Sequence, residues 1–124
     1  MKLKIKRLHP EAKMPTYGTD GAACFDLAAL ITEEDREFMS LACGHGKVVG
    51  HSTVIRTGLS VEIPEGHVML IFSRSGHGFK NNIRLANCVG VIDADYRGEI
   101  MVKLTQDGYQ TTPLDVYHGD RIAQ

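Results

Sequence analysis

The stretch GVIDADYRGEI, residues 90–100, places ionisable side chains directly after an apolar run. Asp93 and Asp95 are one residue apart, and Tyr96 follows them. A carboxylate beside an apolar run can orient a water molecule and accept its proton, and an aromatic ring offers a flat face to a sugar or a base. In an extended strand both carboxylates would lie on the same side, whereas a turn would splay them apart. The residues alone leave open a catalytic site and an ordinary charged hairpin turn.

A second group of chemically capable residues, SRSGHG, follows an apolar strand pattern. Arg74 can bind two phosphate oxygens at once, the Ser75 hydroxyl can donate a hydrogen bond, and Gly76 lets backbone N–H groups approach an anion closely. The alternative is the end of a strand that carries an arginine on the surface. Taken alone, the stretch does not distinguish a phosphate site from that alternative.

Length and composition limit what these residues can serve. A chain of 124 residues with 43% hydrophobic residues fits one domain, 1–124, with one core. The net charge of −1 provides no overall field that would recruit nucleic acid or an anionic membrane. The apolar runs are much shorter than a membrane span, and the amino-terminal residues alternate instead of forming a signal peptide, so we expect a soluble, cytoplasmic protein. Three widely spaced cysteines predict thiols and no disulfide framework.

The elements that must position these side chains are predominantly β-strands. Alternating or β-branched runs occur in LKIKRL, in STVIRTGLSVEI on both sides of Gly58, in HVMLIF after a PEG turn, in LANCVGVI, in EIMVKL and, over only four residues, in LDVY. Many short strands at close spacing predict a sandwich, barrel or jelly roll. Helix signals are few, and the clearest is a capping box of Thr32 and Asp35 ahead of EEDREFMSL.

Two further stretches, ACFDLAA at 23–29 and GDRIAQ at 119–124, complete an ordered set with SRSGHG and GVIDADYRGEI. In this order and at these spacings they resemble the first four of the five motifs of the trimeric all-β dUTPase family. The resemblance implies a jelly-roll-like β-barrel subunit with at most one or two short helices. It also implies a threefold homotrimer with active sites at the subunit interfaces.

The same resemblance implies hydrolysis of dUTP to dUMP and pyrophosphate, with Mg²⁺ as cofactor. Asp93 corresponds to the carboxylate that activates water, and Tyr96 to the ring that packs under deoxyribose and leaves no room for a 2′-hydroxyl. Asp26 corresponds to the carboxylate that holds Mg²⁺ through water. The other implied substrate contacts are Arg74, Ser75, Gly76 and Gln124 on the phosphate side, and Asn87, Gly90, Val91, Ile92 and Met101 on the base side.

The chain departs from the usual pattern of the family at several places. Cys24 stands where glycine is usual, and His77 and Gly78 replace a small apolar pair in a segment expected to be a short helix. Glycines disfavour that helix, by roughly 1 kcal/mol each relative to alanine. The segment 31–50 is longer than compact members need. The sequence ends at Gln124, ahead of the glycine-rich fifth motif, so we expect the arginine and aromatic ring of that motif to be missing.

Two other functions stay open. One is dCTP deaminase, an enzyme of related trimeric fold, although DADYRGE fits the triphosphatase better. The other is a regulatory role through binding of a protein partner, as in some viral members of the family, for which the segment 31–50 is the candidate. Direct binding of nucleic acid or of a membrane is not expected.

Overall fold

The computed structural model of the protein describes residues 1–36, 52–108 and 114–124. Short strands dominate these residues, and one helix is described in full. The strands are, in chain order, β1 (Lys4–Arg7), β2 (Thr16–Tyr17), β3 (Phe25–Ala28), β4 (Ser52–Arg56), β5 (Leu59–Glu62), β6 (Met69–Phe72), β7 (Ile83–Leu85), β8 (Val89–Ile92), β9 (Met101–Gln106) and β10 (Arg121–Ala123). The helix α1 comprises Ser75–Asn81, and residues 33–36 are also helical.

Among the described residues, the strands form small antiparallel sheets around one apolar core. β1 pairs with β5, and β6 pairs with β8. β3 lies between β10 and β2, and β9 lies between β4 and β7. Most of these neighbours are distant in sequence, so long-range pairing closes the fold. The prediction of an all-β chain with at most one or two short helices is confirmed for the described residues.

The core follows from the alternation within the strands. In β9, Val102 and Leu104 are 5% and 1% exposed, whereas Met101 and Lys103 between them face outward. The same inward set includes residues of most other strands, and its largest fully buried members are Leu27, Leu30, Leu59, Ile71, Leu85, Ile100, Leu104 and Ile122. Burial of these side chains, at about 1.5 to 3 kcal/mol each, is the main source of stability.

Most of the predicted strands are present, and one is absent. The runs LKIKRL, STVIRTGLSVEI, HVMLIF and LANCVGVI contain β1, β4 with β5, β6 and β8, and EIMVKL contains the first four residues of β9. β7 overlaps LANCVGVI only at Leu85, because a turn separates β7 from β8. The prediction for LDVY was wrong, because residues 114–117 form no strand. Leu114 is buried there and Val116 is half-buried, so the alternation reflects side-chain burial without a neighbouring strand to complete a hydrogen-bond ladder.

The connection between β4 and β5 requires glycine at position 58. Gly58 has φ +68, in the left-handed region, and a Cβ added there would lie 2.7 Å from both Ala12 Cβ and Leu30 Cδ2. Only glycine meets both conditions at low cost. This connection brings Arg56 and Gly58 to the residues that follow β8, as described below.

The helix α1 forms despite its glycines, as the family resemblance implies. Asn82, with φ 53, ends the helix in the left-handed conformation, and its N–H group donates to the His77 carbonyl oxygen. Gln106 at the end of β9 donates from Nε2 to the Asn81 carbonyl oxygen at 3.1 Å. The local cap of Asn82 and the tertiary contact of Gln106 satisfy carbonyl groups at the end of the helix and oppose the glycine penalty.

The predicted capping box ahead of the segment 33–36 is confirmed. The Thr32 N–H group donates to Asp35 Oδ2 at 2.8 Å, and the Asp35 N–H group donates to Thr32 Oγ1 at 3.2 Å. The rest of the predicted helix, most of the insert and Cys43 lie outside the described residues. Cys24 and Cys88 are free thiols, as predicted. No helix among the described residues is long and apolar enough to cross a membrane.

Candidate active site

An open cavity of about 470 Å³ lies beside the turn that joins β7 to β8. Its volume is within the range typical of small-molecule sites. All the residues that the family resemblance places on the base side line it, namely Asn87, Gly90, Val91, Ile92 and Met101. The remaining lining is apolar except for Lys103, and its other members are Val54, Ile71, Leu85, Ala86 and Val102. The cavity is therefore suited to a flat ligand with a few polar groups.

The turn between β7 and β8 presents Asn87 to this cavity. Cys88 adopts the left-handed conformation with φ 65, and its N–H group donates to the Leu85 carbonyl oxygen at 3.1 Å. Arg84 Nη1 donates to the same carbonyl oxygen at 3.1 Å, and Arg84 Nε binds Asp107 at 2.6 Å. The hydrogen bond and charge of Asp107 raise the pKa of Arg84 above its usual value. The turn is thus braced before any ligand binds.

The stretch after β8 turns instead of continuing as a strand. Asp93 follows β8 directly, and the Tyr96 N–H group donates to its carbonyl oxygen at 3.1 Å. Asp93 and Asp95 are both exposed. Because the chain turns between Asp93 and Asp95, the two carboxylates do not lie on one side of a strand, and the turn is the alternative that the structure contains. Of the two, Asp93 is the one directly next to β8 and the lining residue Ile92.

The Tyr96 ring is held at its hydroxyl end. Tyr96 is 39% exposed, and its hydroxyl group donates to the Glu99 carbonyl oxygen at 2.9 Å. The Glu99 carboxylate accepts hydrogen bonds from the Gly58 N–H group at 2.8 Å and from Arg56 Nε at 3.2 Å. The loop that carries Tyr96 is therefore fixed to the connection between β4 and β5.

A second group of candidate side chains surrounds Asp26. Arg74 Nε binds Asp26 Oδ1 at 2.8 Å, and Arg121 Nη1 binds Asp26 Oδ2 at 3.3 Å. Arg74 Nη1 also donates to the Arg121 carbonyl oxygen at 3.3 Å. The side chains of Asp26, Arg74 and Arg121 are 11%, 20% and 56% exposed. Three of the four predicted motifs thus meet in one cluster, in which a half-buried carboxylate orients two guanidinium groups.

The other predicted phosphate-side residues lie next to this cluster. Ser75 and Gly76 begin α1 immediately after Arg74. The Gln124 N–H group donates to the Phe72 carbonyl oxygen at 3.0 Å, and the Phe72 N–H group donates to the Gln124 carbonyl oxygen at 2.7 Å. Gln124 therefore lies beside Phe72 at the end of β6, two residues before Arg74.

His77 also belongs to this region. Its Nδ1 atom is buried and has no hydrogen-bond partner among the described residues. Burial, and then the positive charge of Arg74, lower the pKa of His77 below its ordinary value of 6.5, while Asp120 and Asp26 act in the opposite direction. The imidazole is therefore held in its neutral form more strongly than in water.

The two groups of residues lie at opposite ends of one strand pair. In the β6–β8 ladder Met69 faces Ile92 and Phe72 faces Val89. Arg74 continues beyond the Phe72 end, and Asp93 continues beyond the Ile92 end. At about 3.3 Å per residue, the paired residues alone separate these ends by roughly 10 Å. One copy of the chain does not bring Asp93 and Arg74 together.

Reasoning from the sequence missed three contributors to the site. Arg121 was quoted within GDRIAQ without a role, although it binds Asp26. Arg56 was not singled out, although its side chain binds Glu99. Gly98 carried no signal beyond its place in the motif, and it contacts Tyr96 as described below. Only Arg121 lay in a stretch that already pointed to phosphate.

The fold and these two groups of residues define a small β-barrel protein with an apolar cavity for a planar group and an arginine cluster for an anion. Comparison with known proteins agrees with this class. A family model described as dUTPase matches residues 10–124. The deoxyuridine 5′-triphosphate nucleotidohydrolase of Desulfitobacterium hafniense is 42% identical over 125 residues, covering 100% of this chain and 75% of that protein. The protein of the same name from Nautilia profundicola is 40% identical, with 100% and 78% covered.

Solved structures give the same fold. The dUTPase of Staphylococcus bacteriophage 80alpha superposes with a TM-score of 0.68 at 22% identity, over 98% of this chain and 86% of that chain. The dUTPase of phage phi11 of S. aureus superposes with a TM-score of 0.70 at 23% identity, over 99% and 86%. The chain belongs to the dUTPase family, and the jelly-roll-like fold implied by its motifs is confirmed.

Proposed function

We propose that the protein hydrolyses dUTP to dUMP and pyrophosphate, which limits uracil in DNA and supplies dUMP. The observation that carries the proposal is that the predicted base-side residues all line one cavity, while the predicted phosphate-side residues gather around Asp26 and Arg74. Membership of a family whose relatives are named deoxyuridine 5′-triphosphate nucleotidohydrolase supports it.

Asp93 is the residue that we assign to the attacking water. It is exposed, directly follows the cavity-lining strand β8, and its backbone is held by the hydrogen bond from the Tyr96 N–H group. A carboxylate in this place orients a water molecule for attack on the α-phosphorus and accepts its proton. The products are then dUMP and pyrophosphate.

The phosphate chain binds at the end of β6. Arg74 uses Nε for Asp26 and one Nη1 hydrogen for the Arg121 carbonyl oxygen, and its other N–H groups can bind phosphate oxygens. Ser75 and Gly76 add a hydroxyl and backbone N–H groups, and the backbone pairing of Gln124 with Phe72 leaves the Gln124 side chain to bind phosphate. Because these donors are positioned before substrate binds, they neutralise the charge that develops on the phosphoryl oxygens at little reorganisation cost.

Magnesium fits this arrangement as a substrate-bound ion. No group of three or more His, Cys, Asp or Glu side chains in the described part of the chain could hold a metal by itself. Asp26 accepts one arginine on each oxygen and keeps lone pairs for a water ligand of the ion. When bound to the triphosphate, Mg²⁺ supplies charge neutralisation, and it commonly retains several waters and few carboxylates. A structure of a variant phage phi11 dUTPase is described as revealing the coordination of a structural Mg(II) ion.

A complete site requires more than one copy of the chain. Asp93 and Arg74 lie at opposite ends of the β6–β8 ladder, so a single substrate would contact Asp93 of one copy and Arg74 of another. Cyclic assembly places such complementary ends against each other repeatedly. We propose a threefold homotrimer with its sites between subunits.

The outer face of the β6–β8 ladder is suited to that assembly. Leu70, Phe72, Val89 and Val91 are 45%, 38%, 38% and 61% exposed, and they form the facing pairs Leu70 with Val91 and Phe72 with Val89. Their strand neighbours Ile71 and Gly90 are buried. A strand pair with apolar side chains on both faces is typical of one that is covered on both faces.

Sedimentation analysis tests the assembly. The wild-type chain should sediment as a particle of three subunits of 13.6 kDa each. Leu70→Lys should dissociate it and abolish turnover, because both halves of the site are needed. Tyr117→Lys, at an exposed position outside the strands, is the control and should remain trimeric. A wild-type monomer with full activity would exclude a site shared between copies.

The substrate is tested by measuring pyrophosphate release from dUTP, dCTP, dTTP and UTP in the presence of Mg²⁺. We expect dUTP to be strongly preferred. Ammonia release from dCTP is measured in parallel. Ammonia from dCTP together with no preferential release of pyrophosphate from dUTP would instead establish the deaminase. The experiment separates the two enzymes because only deamination changes the base.

The role of Asp93 is tested with a neighbouring control. Asp93→Asn should bind dUTP but lose at least about 100-fold in kcat, because the amide keeps the shape and cannot accept the proton. Asp95→Asn should keep turnover within a few-fold, because the turn separates this exposed carboxylate from the position next to β8. Equal losses in both variants would remove the assignment.

The predicted regulatory role stays a prediction. Most of the segment 31–50 on which it rests lies outside the described residues. The dUTPase of Staphylococcus bacteriophage 80alpha, one of the structural neighbours, is described as a phage dUTPase that controls transfer of virulence genes. A pull-down with and without residues 32–50 tests whether this segment binds a protein partner.

A further inference from the structure

The hydroxyl end of the Tyr96 ring occupies the space in which a side chain of residue 98 would lie. A Cβ built on Gly98 would lie 2.6 Å from Tyr96 Cζ and 3.0 Å from Tyr96 Cε2, and it would also overlap the hydroxyl oxygen of Tyr96. Contacts shorter than 3.0 Å essentially never occur for a real Cβ. The ring can therefore occupy its place only because residue 98 has no side chain.

The conformation of the backbone does not explain this glycine. The positive φ angles of glycine in the described residues occur at Gly58, Gly66, Gly108 and Gly119, so Gly98 is not among them. Alanine at this position would therefore meet no left-handed φ penalty, and residue 98 is exposed. The three atoms nearest to an added methyl group all belong to Tyr96, so its shortest contacts would be with that ring.

The backbone around Gly98 cannot recede to make room. The carbonyl oxygen of Arg97 accepts a hydrogen bond from Ser60 Oγ at 2.8 Å, on strand β5. The Ile100 N–H group donates to the Leu59 carbonyl oxygen at 2.8 Å, and the Glu99 carboxylate accepts from the Gly58 N–H group at 2.8 Å. With both neighbours of Gly98 anchored to the β4–β5 region, Tyr96 is the part that must move.

We propose that Gly98 is a positioning residue that sets the discrimination of this enzyme against ribonucleotides, acting through Tyr96. The inference rests on the proposed function, in which the Tyr96 ring packs under deoxyribose. Gly98 lets the ring lie close to the loop, and the bond to the Glu99 carbonyl oxygen keeps it there. The side of the sugar that would carry a 2′-hydroxyl then meets a ring at a fixed depth.

The required displacement can be read from the contact distances. Moving Tyr96 Cζ from 2.6 Å to the 3.4 Å at which ordinary contact begins is a shift of 3.4 − 2.6 = 0.8 Å. The hydroxyl group would shift with it and lose its 2.9 Å bond to the Glu99 carbonyl oxygen. Displacements near 1 Å at a reacting or positioning group can change rates by about 100-fold. A change of at least tenfold in sugar discrimination is therefore expected from one methyl group.

The test is a double-variant cycle on the assembled protein, measured as kcat/KM for dUTP and UTP. Gly98→Ala should reduce the dUTP to UTP ratio at least tenfold. Tyr96→Ala should reduce it as well. In the Tyr96→Ala background the added methyl group meets no ring, so Gly98→Ala should change the ratio less than twofold.

Gly21→Ala is the matched control. Gly21 has an ordinary φ, and a Cβ there would meet nothing within 4 Å, so its substitution should leave both kcat/KM values unchanged. Thermal unfolding of every variant shows whether the chain is folded. A structural role of Gly98 alone would lower the unfolding temperature and both kcat/KM values together without changing their ratio.

Two results would overturn the inference. One is an unchanged ratio in Gly98→Ala. The other is an equal effect of Gly98→Ala with and without the Tyr96 ring. Failure of the proposed function is recognised separately, because the wild-type chain would then not hydrolyse dUTP at all.

Discussion

Substitution of Asp26 by asparagine tests how strongly the arginine cluster stabilises the fold. The asparagine oxygen can still accept the hydrogen bond that Arg74 Nε makes to Asp26 Oδ1 at 2.8 Å. The amide NH₂ group would then face Arg121 Nη1, which binds Oδ2 at 3.3 Å in the wild-type protein. The substitution keeps the shape of the side chain, removes its charge and replaces one attraction by an encounter of two donors.

The expected loss follows from exposure. Hydrogen bonds to charged groups contribute about 1.5 to 3 kcal/mol and neutral ones about 1 kcal/mol. The side chains of Asp26 and Arg74 are only 11% and 20% exposed, so the substitution should lower the contribution of their hydrogen bond to stability by about 1 to 2 kcal/mol. Arg121 is 56% exposed, and its contribution should be below about 1 kcal/mol. The free energy of unfolding should fall by about 2 kcal/mol, which is roughly 6 to 10 °C in Tm for a chain of this length.

Equilibrium unfolding in urea, followed by circular dichroism, measures the loss. All variants must be compared at one protein concentration, because assembly makes apparent stability depend on concentration. The control is Glu62→Gln, which breaks the 2.7 Å ion pair between Glu62 and Lys4. The side chains of Lys4 and Glu62 are 75% and 51% exposed. An ion pair this exposed is screened by solvent, so the control should stay close to the wild type.

The reasoning is refuted if Asp26→Asn loses no more than Glu62→Gln. A second check uses Arg74→Gln alone and combined with Asp26→Asn. The double variant should lose less than the sum of the single losses, because each substitution already breaks the shared bond. Strict additivity would mean that the two side chains do not stabilise each other.

Three further predictions concern stability. The pKa of His77 is lowered, first by burial and then by Arg74, so unfolding takes up a proton as pH falls below about 6.5 and stability is lost there; His77→Ala should flatten this slope in urea unfolding between about pH 7 and about pH 5. Cys88, with φ 65, should gain about 0.5 kcal/mol in urea unfolding on substitution by asparagine, which adopts the left-handed conformation more readily, whereas Cys24→Asn should not. Gly58→Ala should lose at least about 2 kcal/mol, because its φ is +68 and its Cβ would lie 2.7 Å from two side chains; Gly66→Ala, with φ +76 and open space, should lose only about 1 kcal/mol, so equal losses would contradict the packing argument.

Strand positions were predictable where the alternation of residue types along the sequence matches the alternation of the two faces of a strand. In β9, buried and more exposed residues alternate, as the geometry of a strand requires, because successive side chains point to opposite faces. β2 and β10 have two and three residues, too few for periodicity to identify. Pairing of β3 with β2 and β10, which no local pattern encodes, makes them strands.

The sequence by itself predicted the chemical class of the site, because four motifs in order and at compatible spacing resemble those of the dUTPase family, and this resemblance implies the class of ligand and the residues proposed to bind it. Only the tertiary structure decided how those residues are held. Asp26 meets Arg74 and Arg121 across 48 and 95 residues of chain, and Tyr96 depends on a missing Cβ at Gly98. Arg74 and Asp93 leave the β6–β8 ladder at opposite ends. The ion pairs of Asp26 and the separation of Arg74 from Asp93 arise from long-range packing and strand direction, so no local pattern contains them. The contact between Tyr96 and Gly98 is local in sequence, but the folding of the turn after β8 decides it.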